Sequence, residues 1–404
     1  MAPHKIAQSR AYYRIGKWQI FVRTVERFWT PLKFCCHLFT LGYLFPGSTN
    51  SHPMSSIPQF ERLNGGKAIL RKIDDHPWEN KVVFNPASVL VEDRATLDRV
   101  IRELPFDRGI RQKLNGHKAL CFLFYRAQGK ETPGYDYRRS SIGLAVLTPT
   151  LELLARHDKP IILPDQPYED LGAEDARIGR VGNRFVMFYT AYASGREQNR
   201  VRIAVAVSTD LVHWEKRGLL KGRFNEINNK NAMLFPTRVD GKYLMLHRPM
   251  EGENALSVHW AEAEDVLGEW TSRGMLMERR PNPKFEDTWI GGGAPPLLLP
   301  DGRFLMLYHI GNRTQGKGRE YDFAIAVADP KQSKFIVRRD EPLLRPETEA
   351  ETIGDADLGV NDVLFVCGAH FHERDLYIPY AGADSYVLGG RIRSEELDRY
   401  LEGT

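Results

Sequence analysis

From about Ile57 to the C-terminus the chain repeats one pattern: a turn dipeptide, an aromatic-rich apolar run, then a second apolar run. Asn115-Gly116 leads into KALCFLFYRA, Gly182-Asn183 into RFVMFYTAY, Asp240-Gly241 into KYLMLHRP and Asp301-Gly302 into RFLMLYHIG. Glu373-Arg374-Asp375 leads into the weaker LYIPYAGAD. The second runs are SIGLAVLT (141–148), VRIAVAVST (201–209), ALSVHWAEA (255–263), YDFAIAVAD (321–329) and SYVLGGRI (385–392). An Asn-Gly or Asp-Gly pair ahead of a β-branched and aromatic run predicts a hairpin, because both central turn residues take positive φ. With Tyr125, Tyr189, His247, Tyr308 and Tyr380 as equivalent points, the spacings are 64, 58, 61 and 72 residues. Each unit thus predicts an antiparallel pair with room for four strands. Helical periodicity is confined to Arg94–Glu103, Pro149–Arg156 and Ser394–Leu401.

Self-similar all-β units of this size predict a five-bladed β-propeller, spanning residues 57–404 and followed by a C-terminal helix. A β-sandwich would have shorter, less regular spacing. Residues 1–56 stand apart as a basic and apolar N-terminal extension.

Composition sharpens this division. The 42% hydrophobic, 27% charged chain of 404 residues is that of a globular protein and excludes collagen-like and wholly disordered classes. Its formal charge of +4 is unevenly placed: residues 1–50 hold seven bases and one acid, leaving 49 bases and 51 acids for residues 51–404, a net of −2. The body is therefore not a basic nucleic-acid binder. The apolar stretch Phe34 to Phe45 is shorter than the roughly 20 residues a bilayer span needs, so no stable membrane insertion is expected. The segment reads as a flexible extension, a signal-like leader or a mis-assigned start. A cytoplasmic location is expected, with secretion or a membrane-surface location following if the segment is a signal. Four scattered cysteines make neither a disulfide framework nor a zinc site, and Cys121 and Cys367 read as buried thiols. His370 with His372 reads as a surface pair, so no metal is expected.

In a propeller the ends of the inner strands converge on one channel. The candidate inner strands end in Tyr125-Arg126, Tyr189-Thr190, His247-Arg248, Tyr308-His309 and Tyr380 with Asp384. Cations with at least one carboxylate suit an anionic or polyhydroxylated ligand. Glu174-Asp175-Ala176-Arg177 lies just before the second hairpin, with Arg177 placed to hold a carboxylate. The segment IGGGAPP (290–296) lets backbone approach a ligand closely, or is a tight connection between units.

Eight segments in order resemble glycoside hydrolase family 130: NPASVL (85–90), LFYRA (123–127), EDAR (174–177), NKNAMLFPTRVDGKYLMLHRP (229–249), IGGGAPP, LYHIG (307–311), Tyr321 within YDFAIAVAD, and YAGAD (380–384). The likeness covers about residues 57 to 395. It implies a five-bladed propeller acting on β-mannosides, most members being inverting phosphorylases and some hydrolases. By that resemblance Asp175 is the sole catalytic acid, protonating the leaving group through the substrate's 3-hydroxyl. Inorganic phosphate then attacks from the opposite face and gives α-mannose 1-phosphate. Arg126, Arg248, His309 and Tyr321 match phosphate-site positions, while Asn85, Asn231 and Asp384, with Arg177, match positions near the sugar. Phosphate is then a co-substrate and no further cofactor is implied. The partners are a β-mannoside oligosaccharide and phosphate, and homo-oligomerisation stays open.

Two departures bear on this. Ala176 stands where the family usually has Pro, and Trp289 stands where many phosphorylases of the family carry Lys. Lys230 or Arg313 would compensate for the missing cation. The alternative is an inverting hydrolase with Glu286, Asp287 or Asp362 as base. A non-catalytic carbohydrate-binding propeller would lose the strand-end Asp and cations that this chain retains.

Overall fold

A computed structural model of the chain describes residues 57–131, 138–196, 198–280, 287–314, 318–329, 336–339 and 341–404. The N-terminal extension 1–56, including the apolar stretch at 34–45, lies outside them.

The described chain is mostly β and runs as successive antiparallel units. The first comprises Val82–Val91, Leu120–Gln128, Ser140–Leu147 and Leu153–Arg156, and the second Gly172–Val181, Arg184–Ala193, Arg200–Ser208 and Glu215–Leu219. A single parallel pairing, Ser140 with Gly172, joins these two into one sheet. The third unit is Asn229–Leu234, Tyr243–Pro249, Val258–Ala263 and Thr271–Met277. The fourth is Asp287–Gly292, Phe304–Thr314, Gly318–Ala328 and Ile336–Arg338, with Leu297–Leu298 also on its second strand. The last combines Leu364–Val366, Asp375–Gly382 and Tyr386–Ile392 with a strand from the other end of the body, Glu61–Arg62, which pairs with Arg391 and Gly390. His370–His372 also pairs with Asp375–Gly382.

The middle strands read as unbroken apolar runs because both faces are covered. In Leu120–Gln128, Phe122 and Phe124 enter one core, while Cys121, Leu123 and Tyr125 enter another. The equivalence of the spaced aromatics has a physical basis. Tyr125, Tyr189 and Tyr380 donate to Glu79, Glu169 and Glu351 at 2.9, 2.7 and 2.8 Å. Each of these glutamates is fully buried and is neutralised by a cation, respectively Arg156, Lys216 and Arg62. In the third unit His247 meets Asn229 instead.

Helices Arg94–Glu103 and Ser394–Glu402 form as the periodicity predicts, the first capped by Asp93, whose carboxylate accepts from Thr96 N at 2.9 Å. Three expectations need correction. Pro149–Arg156 is not helical: Leu151 takes φ 70 in a turn, and Leu153–Arg156 is a strand. Asn115-Gly116 is no hairpin turn but the end of an unpredicted helix, Arg108–Asn115, capped by Asp107, with Gly116 at φ −72. His370 is buried, bonded to the carbonyl of Pro149 at 2.8 Å, so it forms no surface pair with His372. Among the described residues no helix is long and apolar enough to cross a membrane.

Candidate active site

The first strands of three units share a local distortion. Antiparallel register slips between Phe84 and Ala87, between Glu174 and Arg177, and between Lys230 and Met233. Asn85, Asp175 and Asn231 occupy these bulges with φ of 47, 51 and 58, and Asp384 has φ 47 just beyond Gly382. Left-handed backbone is unfavourable for residues with a Cβ and least so for Asn and Asp. A bulge re-aims a side chain out of the ladder, which explains why these four positions carry Asn or Asp and no larger residue.

Asp175 is buried, and its Oδ1 accepts from Asn85 Nδ2 at 2.7 Å and from Arg126 Nη1 at 3.4 Å. The other arm of Arg126 binds Glu174 Oε1 at 2.6 Å, while its Nε donates to Ser140 Oγ at 2.8 Å. Burial works to raise Asp175, but Arg126, Arg177, Lys230 and the Asn85 bond outweigh it and hold the carboxyl below the usual range. Glu174 goes the other way, raised by burial against the attraction of Arg126. Removal from water also pushes Asp384 up to about 6, opposed by Arg126.

Arg177 is 2% exposed and does not reach the Asp175 carboxylate. Its guanidinium donates to main-chain carbonyls, to Asp175 O at 2.8 Å, Gly293 O at 3.1 Å and Gly292 O at 3.2 Å. It therefore ties the Asp175 bulge to the IGGGAPP segment, whereas Arg126 and Asn85 hold the carboxylate. The glycines there give clearance: a Cβ on Gly291 would lie 2.4 Å from His309 Nε2 and 2.7 Å from Asn231 Oδ1.

Beyond this lies a cationic half. Arg248 Nη1 donates to His309 Nε2 at 3.1 Å. A guanidinium only donates, so the His309 hydrogen sits on Nδ1. Burial, then Arg248, Arg177 and Lys230, hold His309 well below its ordinary value, so the ring is neutral. Its ring lies 4.6 Å from Phe365 and 5.6 Å from Tyr321. Burial and then the Arg248 charge push Lys230 down to about 8, and burial pushes Arg248 down to about 10. Lys230 lies within the field of the charges on both sides, Arg248 and Arg126 lowering it and Asp175 and Glu174 raising it.

Several buried polar atoms have no protein partner: Asn85 Oδ1, both amide atoms of Asn231, Arg248 Nε and His309 Nδ1. Leaving such groups unpaired costs about 1–3 kcal/mol each, so their clustering points to a polar ligand. Arg313 and Asp362 are exposed on the surface. Glu286 lies outside the described residues, as does the side chain of Asp287. Glu174 is the site residue that sequence reading passed over. Its signal was adjacency to Asp175, which in a regular strand would have pointed it to the opposite face; the bulge brings both carboxylates to one arginine.

A sequence model of the family described as beta-1,4-mannooligosaccharide phosphorylase, glycoside hydrolase family 130, matches residues 109–402. The chain belongs to glycoside hydrolase family 130. It is 30% identical over 332 residues to a 1,2-beta-oligomannan phosphorylase of Thermoanaerobacter sp. (strain X514), covering 81% of this chain and 95% of that one. A beta-1,2-mannobiose phosphorylase of the same strain is 30% identical over 339 residues, covering 82% and 96%. Among solved structures, the beta-1,2-mannobiose phosphorylase of Listeria innocua superposes with a TM-score of 0.66 at 21% identity, over 85% of this chain and 99% of that one. That likeness establishes a shared fold for this family member.

Proposed function

We propose that the chain is an inverting β-mannoside phosphorylase, with Asp175 as general acid and inorganic phosphate as co-substrate, needing no other cofactor. The observation that carries this is the half-buried Lys230 beside the buried Arg248, whose charge adds to burial in lowering the lysine. A bound phosphate relieves their repulsion and takes up the unpaired donors Arg248 Nε and His309 Nδ1. Arg126, Lys230, Arg248, His309 and Tyr321 make up the anion site, and Asn85, Asn231 and Asp384 surround the sugar. A phosphate oxygen attacks the anomeric carbon as the glycosidic C–O bond breaks. The proton from Asp175 reaches the leaving oxygen, by way of the sugar's own hydroxyl, and the phosphate hydrogen restores it. Asp175 is held ionised in the free site, so it has to gain a proton first. Phosphate supports that uptake by offsetting the cations that keep the carboxyl acidic.

We also infer that the units close into a five-bladed propeller. Supporting this, the first strands of successive units lie against one another: 82–91 by 172–181, 172–181 by 229–234, 229–234 by 287–292, and 364–366 by 82–91. Glu61–Arg62 in the last sheet would fasten the ring. Names of relatives that cover most of the chain make β-1,2-linked mannooligosaccharides the first substrates to try. Phosphorolysis is preferred to hydrolysis because the relatives that cover most of the chain are named phosphorylases, and Asp362, one of the bases a hydrolase would need, is exposed. The test is product identity: with β-1,2-mannobiose and phosphate, NMR should show α-mannose 1-phosphate, and β-mannose 1-phosphate or free mannose alone would refute the assignment.

A further inference from the structure

Glu174 and Asp175 are neighbours in sequence, yet the register slip between Glu174 and Arg177 presents both carboxylates to the single guanidinium of Arg126. The two contacts are unequal. Arg126 Nη2 donates to Glu174 Oε1 at 2.6 Å, whereas Nη1 stands 3.4 Å from Asp175 Oδ1; a full charge-assisted bond of this kind spans about 2.7–2.9 Å. The surroundings of Arg126 fix that bias. Its Nε donates to Ser140 Oγ at 2.8 Å, the Ser140 hydroxyl donates in turn to the same Oε1 of Glu174 at 3.2 Å, and Gln128 Nε2 donates to Ser140 Oγ at 3.0 Å. The guanidinium also lies over the Phe84 ring, 4.6 Å from its centroid. Ser140 pairs with Gly172, the parallel contact that joins the first two units, and a Cβ on Gly172 would come within 3.2 Å of Ser140 and 3.3 Å of Glu174 Oε1. The Arg126 and Glu174 side chains are 16% and 13% exposed, so the knot is held from three strands with little water to screen it.

From this geometry we propose that Glu174 is a positioning residue for proton transfer by Asp175: it draws Arg126 to itself, so that the guanidinium orients the Asp175 carboxyl without claiming it, and its negative charge leaves that carboxyl able to take up a proton. The inference rests on the reading of Asp175 as general acid. The other charges facing Asp175 are Arg177 on its own strand, Lys230 and Arg248 from the third unit and Asp384 from the last, with the buried Cys367 thiol neutral. Without the Glu174 charge, Arg126 and those three cations are opposed by Asp384 alone.

The experiment follows kcat at saturating phosphate across pH, on β-1,2-mannobiose and on a p-nitrophenyl β-mannoside, for the whole chain and for Glu174→Gln, Glu174→Asp, Glu174→Met and Asp175→Asn, with thermal melts to establish folding. A general acid must be protonated to act, so kcat falls as pH rises through its value in the complex. Loss of a neighbouring negative charge lowers that value. In Glu174→Gln the alkaline limb on mannobiose should therefore move to lower pH by about one unit, which is roughly a tenfold lower rate above it, while the aryl mannoside, whose leaving group needs little protonation, loses far less. Glu174→Asp keeps the charge and should keep the limb near its wild-type pH even where kcat is lower. Glu174→Met, neutral and of similar length, should shift as the Gln variant does, and it decides the matter if that variant does not fold. A limb left at its wild-type pH in the neutral variants would overturn the inference, as would equal losses on the two substrates. Full activity in Asp175→Asn would instead overturn the reading beneath it.

Discussion

Asn85 donates to the carboxylate of Asp175 across 2.7 Å, and both residues sit in left-handed backbone at bulges of neighbouring units. This bond fixes the orientation of the carboxyl proposed above as the proton donor. Hydrogen bonds to charged groups contribute about 1.5–3 kcal/mol, so Asn85→Ala should lower kcat/KM by roughly 10- to 150-fold. Asn85→Asp should do worse, and increasingly so as pH rises, because it sets a second carboxylate against the first. Steady-state kinetics across pH check both.

Asp175→Asn would remove the proposed proton donor and leave an uncharged amide of the same shape beside Arg126. General acid catalysis contributes typically 10²–10⁴-fold, and kcat on mannobiose should fall by about that factor. A p-nitrophenyl β-mannoside, whose leaving group needs little protonation, should lose far less. Equal losses on the two substrates would remove Asp175 from the acid role.

Lys230, displaced to about 8 by burial and Arg248, titrates within the working range. Its charge is present below that value and lost above it. Phosphate KM should therefore climb as pH passes 8, with kcat at saturating phosphate affected less. In Lys230→Met the KM should be high throughout, with a flattened alkaline limb. Phosphate KM measured from pH 6 to 9.5 provides the check.

The buried glutamates that anchor the spaced tyrosines serve the fold and not the chemistry. Glu169 is fully buried, accepts from Tyr189 at 2.7 Å and neutralises Lys216. Removing one partner of a buried pair costs about 3–5 kcal/mol. Glu169→Ala should lower the urea midpoint accordingly while phosphate KM stays at the wild-type value.

Repetition made much of this molecule legible in its sequence. The turn pair Asp240-Gly241 has positive φ at both residues, as its residue types suggested, whereas in Asp301-Gly302 only the glycine does and Glu373-Arg374 does so against its residue types; the aromatic points 125, 189 and 380 are equivalent down to their glutamate partners. What stayed hidden depended on contacts distant in sequence. Nothing local in EDAR indicates that Arg177 would turn to the carbonyls of Gly292 and Gly293, more than 100 residues away. Bulges are similarly silent, because a slip in register leaves the apolar pattern intact, and so Glu174 escaped notice. Pro149–Arg156 looked helical from spacing alone, whereas Leu151 at φ 70 and pairing with Ser140–Leu147 decided for a turn and a strand. Trp289 stands where the resemblance leads one to expect a Lys, and its place across Gly311 against the Tyr321 ring depends on strand register that the local sequence does not reveal.

Phosphate as the nucleophile is the central claim, and the rate of β-1,2-mannobiose consumption against phosphate concentration measures it most directly. Consumption should depend saturably on phosphate and extrapolate to essentially no turnover without it. A rate that is substantial in phosphate-free buffer and unchanged on adding phosphate would contradict it.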